Sequence, residues 1–244
     1  MVDFTFILPC LNEEKTLPFC IDEIKKAIEH NKLNAEILVS DNDSEDKSRE
    51  VAESLGARVV VCKDRGYGNA LINGTKNAYG KYCVMGDCDG SYDFYNISQF
   101  VEKLNEGYDM VVGNRYAGGI QDNAMPFSHK IGVKALSGYA NLLFHTPIKD
   151  FHCGLRMYNT ERLKSIKLEC PGMEYASEMI IKAKINNLSM VEVPTVLRKD
   201  LRDRKPHLKT IRDGFRHLFL ITKMFVHKKQ YKVLEDSKLK KAKA

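Results

Sequence analysis

Between Phe4 and Val112 short apolar runs alternate with helix-like patterns, at intervals that suit strand–helix–strand units. Residues 4–8 form a compact apolar run stopped by Pro9, as expected of a parallel strand buried on both faces. Leu17, Ile21, Ile24 and Ile28 then share one helical face. Residues 35–39, 58–62, 82–85 and 110–112 read as four further strands. Helices are predicted up to Leu55, capped by Asp43 or Ser44, and over residues 70–79 and 94–104. The pattern predicts an α/β fold with a mostly parallel central sheet and helices on both faces. In such sheets ligands bind beyond the carboxyl ends of the strands. Those ends carry Asn12-Glu13, Asp41-Asn42, Lys63-Asp64-Arg65, Asp87-Cys88-Asp89 and Asn114-Arg115.

The second half is less regular. Residues 117–127 hold two glycines and a proline without periodicity and read as a long loop, a kind of segment that is often functional. Helices are predicted over 129–144 and 174–186, a strand over 190–197, and an amphipathic helix over 211–225. In that last helix Ile211, Phe215, Leu218, Phe219, Thr222 and Phe225 fall at helical spacing and read as a core-facing stripe. No internal repeat or linker divides the chain. Residues 1–227 are therefore assigned to one domain and 228–244 to a basic, flexible tail, where seven lysines face two acids.

Composition excludes several classes. With 43% hydrophobic and 29% charged residues in 244, the chain is an ordinary globular one. Its seven cysteines include no Cys-x-x-Cys pair, so neither a zinc ribbon nor a disulfide framework is indicated, and a reducing compartment is expected. No secretory leader is read at the N-terminus. The longest near-apolar stretch, residues 218–226, falls short of the ~20 residues a spanning helix needs. The expected location is the cytoplasm, and the lysine tail leaves peripheral attachment to the cytoplasmic face of a membrane as the alternative. No basic motif interleaved with aromatics accompanies the +6 net charge, so nucleic acid is not expected as a partner.

The strongest chemical signal is Asp87-Cys88-Asp89-Gly90 at the end of an apolar strand. Two carboxylates one residue apart can lean toward one hard cation, Mg2+ or Mn2+, which keeps positions open for phosphate oxygens. A turn or capping aspartate is the plain alternative for either acid alone. Asp41 at a second strand end can accept hydrogen bonds from a base or ribose. Residues 65–70, Arg-Gly-Tyr-Gly-Asn-Ala, precede a helix, where glycines permit close backbone approach and the N-terminus favours anions. A tight turn alone would explain that segment. The dinucleotide fingerprint Gly-x-Gly-x-x-Gly is missing after the first strand, which disfavours a nicotinamide enzyme. A non-catalytic nucleotide-binding module is disfavoured because both acids of the pair are present.

These residues carry a family resemblance. Residues 7–14, Ile-Leu-Pro-Cys-Leu-Asn-Glu-Glu, resemble the opening segment of family-2 glycosyltransferases. Residues 40–46 are similar to that family's nucleotide-binding turn, departing in Asp43 where glycine is usual. Gly66, Gly68, Ala70, Gly74, Ala78, Gly80, Asp87 and Asp89 follow in the family's order. Asp150 to Arg156, Gly172, Glu174, Glu178, Glu192-Val193-Pro194 and the basic stretch to Lys209 resemble the polyprenyl-phosphate hexose synthases, the dolichol-phosphate mannose synthase-like branch. No Trp is present, so the Gln-x-x-Arg-Trp motif of processive synthases is absent.

The resemblance implies a GT-A fold and inverting transfer of a hexose from a GDP-mannose- or UDP-glucose-type donor to a polyprenyl phosphate, with a divalent metal. It implies Asp87 and Asp89 as metal ligands. Donor binding falls to Pro9, Asn12, Glu13, Asp41, Arg65, Gly68, Asp87, Arg204 and Lys209. Asp89, Arg115 and Arg156 are implied as catalytic. A phosphate acceptor is already anionic and needs cations to position it more than a base. Transfer to a glycan hydroxyl is the alternative and needs a general base, for which Asp150, Glu174 and Glu178 are the candidates. A membrane surface or a membrane-anchoring partner is the further partner implied.

Overall fold

The N-terminal apolar run becomes strand β1 (Phe4–Cys10), in which Phe6, Ile7 and Leu8 are fully buried. The computed structural model describes residues 2–202 and 210–233. β1 pairs in parallel with β2 (Ala35–Asp41) and β4 (Tyr82–Met85), and β2 pairs in parallel with β3 (Arg58–Val61). On the other side β5 (Met110–Asn114) pairs in parallel with β7 (Met190–Pro194). Between these two parallel blocks lies β6 (Arg156–Asn159), antiparallel to both β4 and β5. The sheet order is β3-β2-β1-β4-β6-β5-β7.

Helices cover both faces. α1 (Leu17–His30) buries Leu17, Cys20, Ile21, Ile24 and Ala27 at three- and four-residue spacing. Full burial of each Leu or Ile contributes roughly 1.5–3 kcal/mol. α2 (Ser48–Ser54) packs against α1 and β3, and α3 (Tyr67–Asn77) lies on β1 and β2. α4 (Ser98–Asn105) packs on β5 and β6. The short α5 (Arg115–Gly118) and α7 (Thr160–Ser165) follow β5 and β6 directly. α6 (Phe127–Phe144), α8 (Tyr175–Ile185) and α9 (Thr210–Val226) pack against one another, with α8 also on α3.

Three differences from the sequence reading have physical causes. β6 was not expected: four residues, Arg-Met-Tyr-Asn, are too few for a period, and its strand character comes from pairing on both edges. It starts at the edge where the parallel strands end, so Arg156 lies beside Met85 and Val112. The α9 stripe faces the other way. Phe215 and Phe219 are 69% and 71% exposed, whereas His217, Ile221 and Met224 are buried on the face toward α6 and α8. Residues 228–231, expected in the tail, form a 3-10 turn docked on α8: Asn186 donates to the Tyr231 carbonyl at 3.0 Å and accepts from the Val233 N–H at 2.7 Å. Arg204, Lys209 and residues 234–244 lie outside the described residues.

Candidate active site

The carboxyl ends of β1, β2 and β4 and the start of β6 open onto one cleft of about 760 Å³. Pro9, Glu13, Asp87, Asp89, Arg115 and Arg156 line it, so six of the expected site residues share one cavity. Asp41 stands at its edge: it pairs with Cys10 in register, and its neighbour Asn42 lines the wall.

Asp41 is fully buried at the end of β2. Its Oδ1 accepts from Arg49 Nε at 2.6 Å and from the Ser44 N–H at 3.1 Å, while its Oδ2 has no hydrogen-bond partner. A buried carboxylate oxygen left open is costly unless something else satisfies it. Asp43, which departs from the family's glycine, takes the left-handed conformation with φ 69° that a glycine would adopt freely. Aspartate is one of the few other residues that visit this region readily.

Asn12 works within the protein. Its N–H donates to Ser44 Oγ at 2.9 Å and its Oδ1 accepts from the Glu45 N–H at 2.8 Å, joining the 9–14 turn to the 41–46 turn. Arg65 is exposed and pairs with Glu45 at 3.1 Å, away from the cleft wall. The Gly66–Gly68 turn also differs from a phosphate cradle. The Gly66 N–H donates to Asn42 Oδ1 at 2.6 Å and the Gly68 N–H to the Pro171 carbonyl at 2.9 Å. A Cβ on Gly68 would lie 2.0 Å from the Cys170 carbonyl oxygen, so this glycine is required by close packing of the 170–171 segment.

Asp87 follows β4 into the cleft. Tyr67 lines the same wall, and the Asp87 Oδ1 has no hydrogen-bond partner. Burial, and then the charge of Asp89, push its carboxyl up to about 6. Gly154 lets the 150–156 loop approach: a Cβ there would lie 2.9 Å from Asp87 Oδ2, and its N–H donates to Tyr92 Oη at 2.6 Å. Asp89 accepts from the Ser91 N–H at 2.9 Å, and its Oδ2 pairs with Arg202 Nη2 at 2.5 Å. Arg202 Nε also stands 3.1 Å from Glu13 Oε1, close in charge but misaligned for a hydrogen bond.

Among the described residues no group of three or more His, Cys, Asp and Glu side chains is arranged to hold a metal alone. A magnesium-type ion takes one or two protein carboxylates and completes its shell with phosphate oxygens and water. The Asp87–Asp89 pair, with Asp87 Oδ1 open, suits that demand.

The expected catalytic arginines are engaged inside the protein. Arg115 is buried and makes a two-pronged pair with Asp150, at 2.8 Å and 2.7 Å. Fully buried Arg156 donates to the carbonyls of Cys153 at 2.9 Å, Phe151 at 2.7 Å and Ala176 at 3.1 Å. Arg156 thus holds the loop that presents Gly154 to Asp87.

Histidines on the inner wall had no signal in the sequence beyond their membership of apolar segments. His129, His152 and His217 line the cleft. Ser177 Oγ lies 2.8 Å from His217 Nδ1, which is 3.3 Å from His152 Nε2, and His152 Nδ1 is without a partner. Burial lowers the His152 imidazole well below its usual value and brings His217 to about 4, so both are neutral at pH 7. Beside the cleft, and sharing Arg115, a second recess of about 370 Å³ is lined by Tyr116, Ile120, Phe127, Lys130, Ile131 and Lys134 among others. Lys134 lies over the Tyr116 ring at 4.6 Å, and neither lysine has a carboxylate partner among the described residues.

The model of the family described as Glycosyl transferase family 2 matches residues 5–167. Low-salt glycan biosynthesis hexosyltransferase Agl6 of Haloferax volcanii is 32% identical over 214 residues, 87% of this chain and 51% of that protein, so this chain spans about half its length. A dolichyl-phosphate hexose transferase of the same organism is 28% identical over 211 residues, 84% of this chain and 89% of that one. Dolichol-phosphate mannosyltransferase of Pyrococcus furiosus is 30% identical over 225 residues, covering 89% of this chain and 63% of that one. Among solved structures, glucosyl-3-phosphoglycerate synthase of Mycobacterium tuberculosis, in complex with Mn2+, UDP-glucose and phosphoglyceric acid, superposes with a TM-score of 0.73 at 19% identity. That match covers 92% of this chain and 80% of the other, and the shared fold is GT-A-like. The family match covers more than half of the residues, and the chain belongs to glycosyl transferase family 2.

Proposed function

We propose that the chain is a metal-dependent, inverting hexosyltransferase that moves a sugar from a nucleotide-diphosphate donor to a polyprenyl phosphate. The observation that carries the acceptor class is the state of the three candidate bases. Asp150 is locked to Arg115. Glu174 pairs with Arg216. Glu178 pairs with Lys182 at 2.8 Å and accepts from the Cys170 N–H at 2.8 Å. None is free to take a proton from a hydroxyl, and a phosphate acceptor asks for none. The names of two relatives, a dolichyl-phosphate hexose transferase and a dolichol-phosphate mannosyltransferase, support the same class.

The donor binds along the β1–β2–β4 edge. Asp41 Oδ2 accepts from the nucleoside, while Pro9, Asn42 and Glu13 shape the wall around it. Asp87 and Asp89 hold Mg2+ or Mn2+, which when bound offsets the charge of the departing diphosphate. Arg115 and Arg156 act as positioning residues that fix the inner loops. Lys130 and Lys134 receive the acceptor phosphate, and Phe127, Ile120 and Ile131 meet its first isoprene units. Among the described residues no helix is long and apolar enough to cross a membrane. Exposed Phe215 and Phe219 on α9 and Phe127 on α6 instead give an apolar surface for interfacial contact with the bilayer that holds the acceptor.

Transfer from labelled GDP-mannose and UDP-glucose, each offered a polyprenyl phosphate or an oligosaccharide, tests the assignment. Label should enter the organic phase with the lipid phosphate alone. The likeness to Agl6, named for glycan biosynthesis, favours the second reading, transfer to a glycan hydroxyl. Equal labelling of the oligosaccharide would establish that reading and defeat the first.

A further inference from the structure

We propose that Cys10 and Cys88 are a redox-sensitive pair, which hydrogen peroxide joins into a disulfide that fixes the Asp87–Asp89 loop to the end of β1. The register of β1 and β4 ends with Ile7 opposite Met85, three residues before Cys10 in one segment and three before Cys88 in the other. The Gly86 N–H still donates to the Ile7 carbonyl at 3.4 Å, so the two segments remain together past the end of β4. Cys88 Sγ then donates at 2.9 Å to the Pro9 carbonyl, which belongs to the peptide bond joining Pro9 to Cys10, and the neighbouring thiols shift each other's ionisation, Cys10 down and Cys88 up. A disulfide asks for a Cα separation of roughly 4.4–6.8 Å, and a sulfur hydrogen-bonded to the Pro9 carbonyl already stands beside the Cys10 backbone.

Both thiols are nearly enclosed, yet both form part of the cleft wall. A bulky oxidant is kept away, whereas hydrogen peroxide is little larger than water. One sulfur attacks a peroxide oxygen and the O–O bond breaks, leaving a sulfenic acid and one water. The second sulfur displaces the hydroxyl, the S–O bond breaks, and the second thiol proton leaves with that hydroxyl as a second water. Two thiols are thereby oxidised to one disulfide and one peroxide is reduced to two waters.

Cys88 sits between the two acids, so a bond at its sulfur draws it off the Pro9 carbonyl and constrains the backbone that carries both carboxylates. Loss of metal-supported nucleotide binding is the consequence, and that part alone rests on the proposed function.

The full chain is treated with hydrogen peroxide, alkylated, and digested without reductant for mass spectrometry. In parallel, thermal shift is recorded with Mn2+ and GDP or UDP, before and after dithiothreitol. A Cys10–Cys88 linked peptide is expected, together with a nucleotide-dependent shift that peroxide abolishes and dithiothreitol restores. Cys10→Ala should retain its own shift after peroxide. Failure to find the linked peptide, or linkage of Cys88 to Cys20 instead, overturns the pair. A linked peptide with an undiminished shift overturns the locking. Absence of any shift in untreated protein would count against the proposed function, and the peptide would still decide the cross-link.

Discussion

Replacing Asp87 with Asn is predicted to stabilise the protein without metal near neutral pH while removing cation binding. Burial and the charge of Asp89 lift the Asp87 carboxyl from 3.8 to about 6. Across that interval the folded protein keeps a proton that the unfolded chain has released, so this group's contribution to stability falls as pH rises. Above the interval the ionised side chain costs about two pKa units at 1.36 kcal/mol each, roughly 3 kcal/mol. Asparagine removes the charge but leaves amide hydrogens to satisfy beside an atom that has no partner, at about 1 kcal/mol. The net gain is roughly 2 kcal/mol, or about 4–8 °C in melting midpoint for a chain of this size. Thermal melts of both proteins at pH 7.5 and pH 4.5, with chelator, measure it, and calorimetric titration with Mn2+ at pH 7.5 measures the loss of binding. The gain should vanish at pH 4.5, where wild-type Asp87 already carries its proton. A variant that melts below wild type at pH 7.5, or a gain equal at both values, would refute the electrostatic account of Asp87.

Asp150→Asn leaves the Arg115 guanidinium buried without its counter-charge and should cost about 3–5 kcal/mol in urea denaturation. Reversing the recess lysines together, Lys130→Glu with Lys134→Glu, should raise KM for a polyprenyl phosphate at least tenfold in the transfer assay. Nucleotide-dependent thermal shift should not change in that variant. Arg202→Ala frees Asp89 and Glu13 from a guanidinium, so Mn2+ measured by calorimetry without nucleotide should bind severalfold more tightly.

The parallel part of the sheet was readable because buried strands are continuous apolar runs and the helices between them bury one periodic face. Polar residues at the strand ends were readable for the same reason, since a sheet covered on both faces leaves only its edges for chemistry. What the residues do there was less legible. Asn12, Gly68 and Arg156 sit in motif positions, yet their hydrogen bonds run to Ser44, Pro171 and Cys153, partners fixed only by tertiary approach. β6 was hidden because its four residues gain their conformation from two neighbours far away in sequence. Phe215 and Phe219 misled for a related reason: an amphipathic helix declares a stripe, and the burial of His217 with Ser177 and His152 decided which stripe faces inward.

The ionic pattern around the cleft bears on how the two anionic substrates of the proposed reaction would meet there. Arg49 is held by Asp41, Arg115 by Asp150, Arg198 by Glu23 and Asp93, and Arg216 by Glu174. Cations already matched this way define shape more than they supply attraction, because breaking a buried pair to reach a ligand leaves an uncompensated carboxylate. Among the described residues, net positive potential for the proposed donor diphosphate would therefore come from a divalent ion held by Asp87 and Asp89, and from Arg202 if that ion displaced it from Asp89. For the proposed acceptor phosphate it would come from Lys130 and Lys134, which have no acidic partner among the described residues. Two separate sources of positive charge, with the matched Arg115–Asp150 pair at the wall that both recesses share, would let two phosphates approach without sharing one counter-ion. A hydroxyl acceptor would need no such second source.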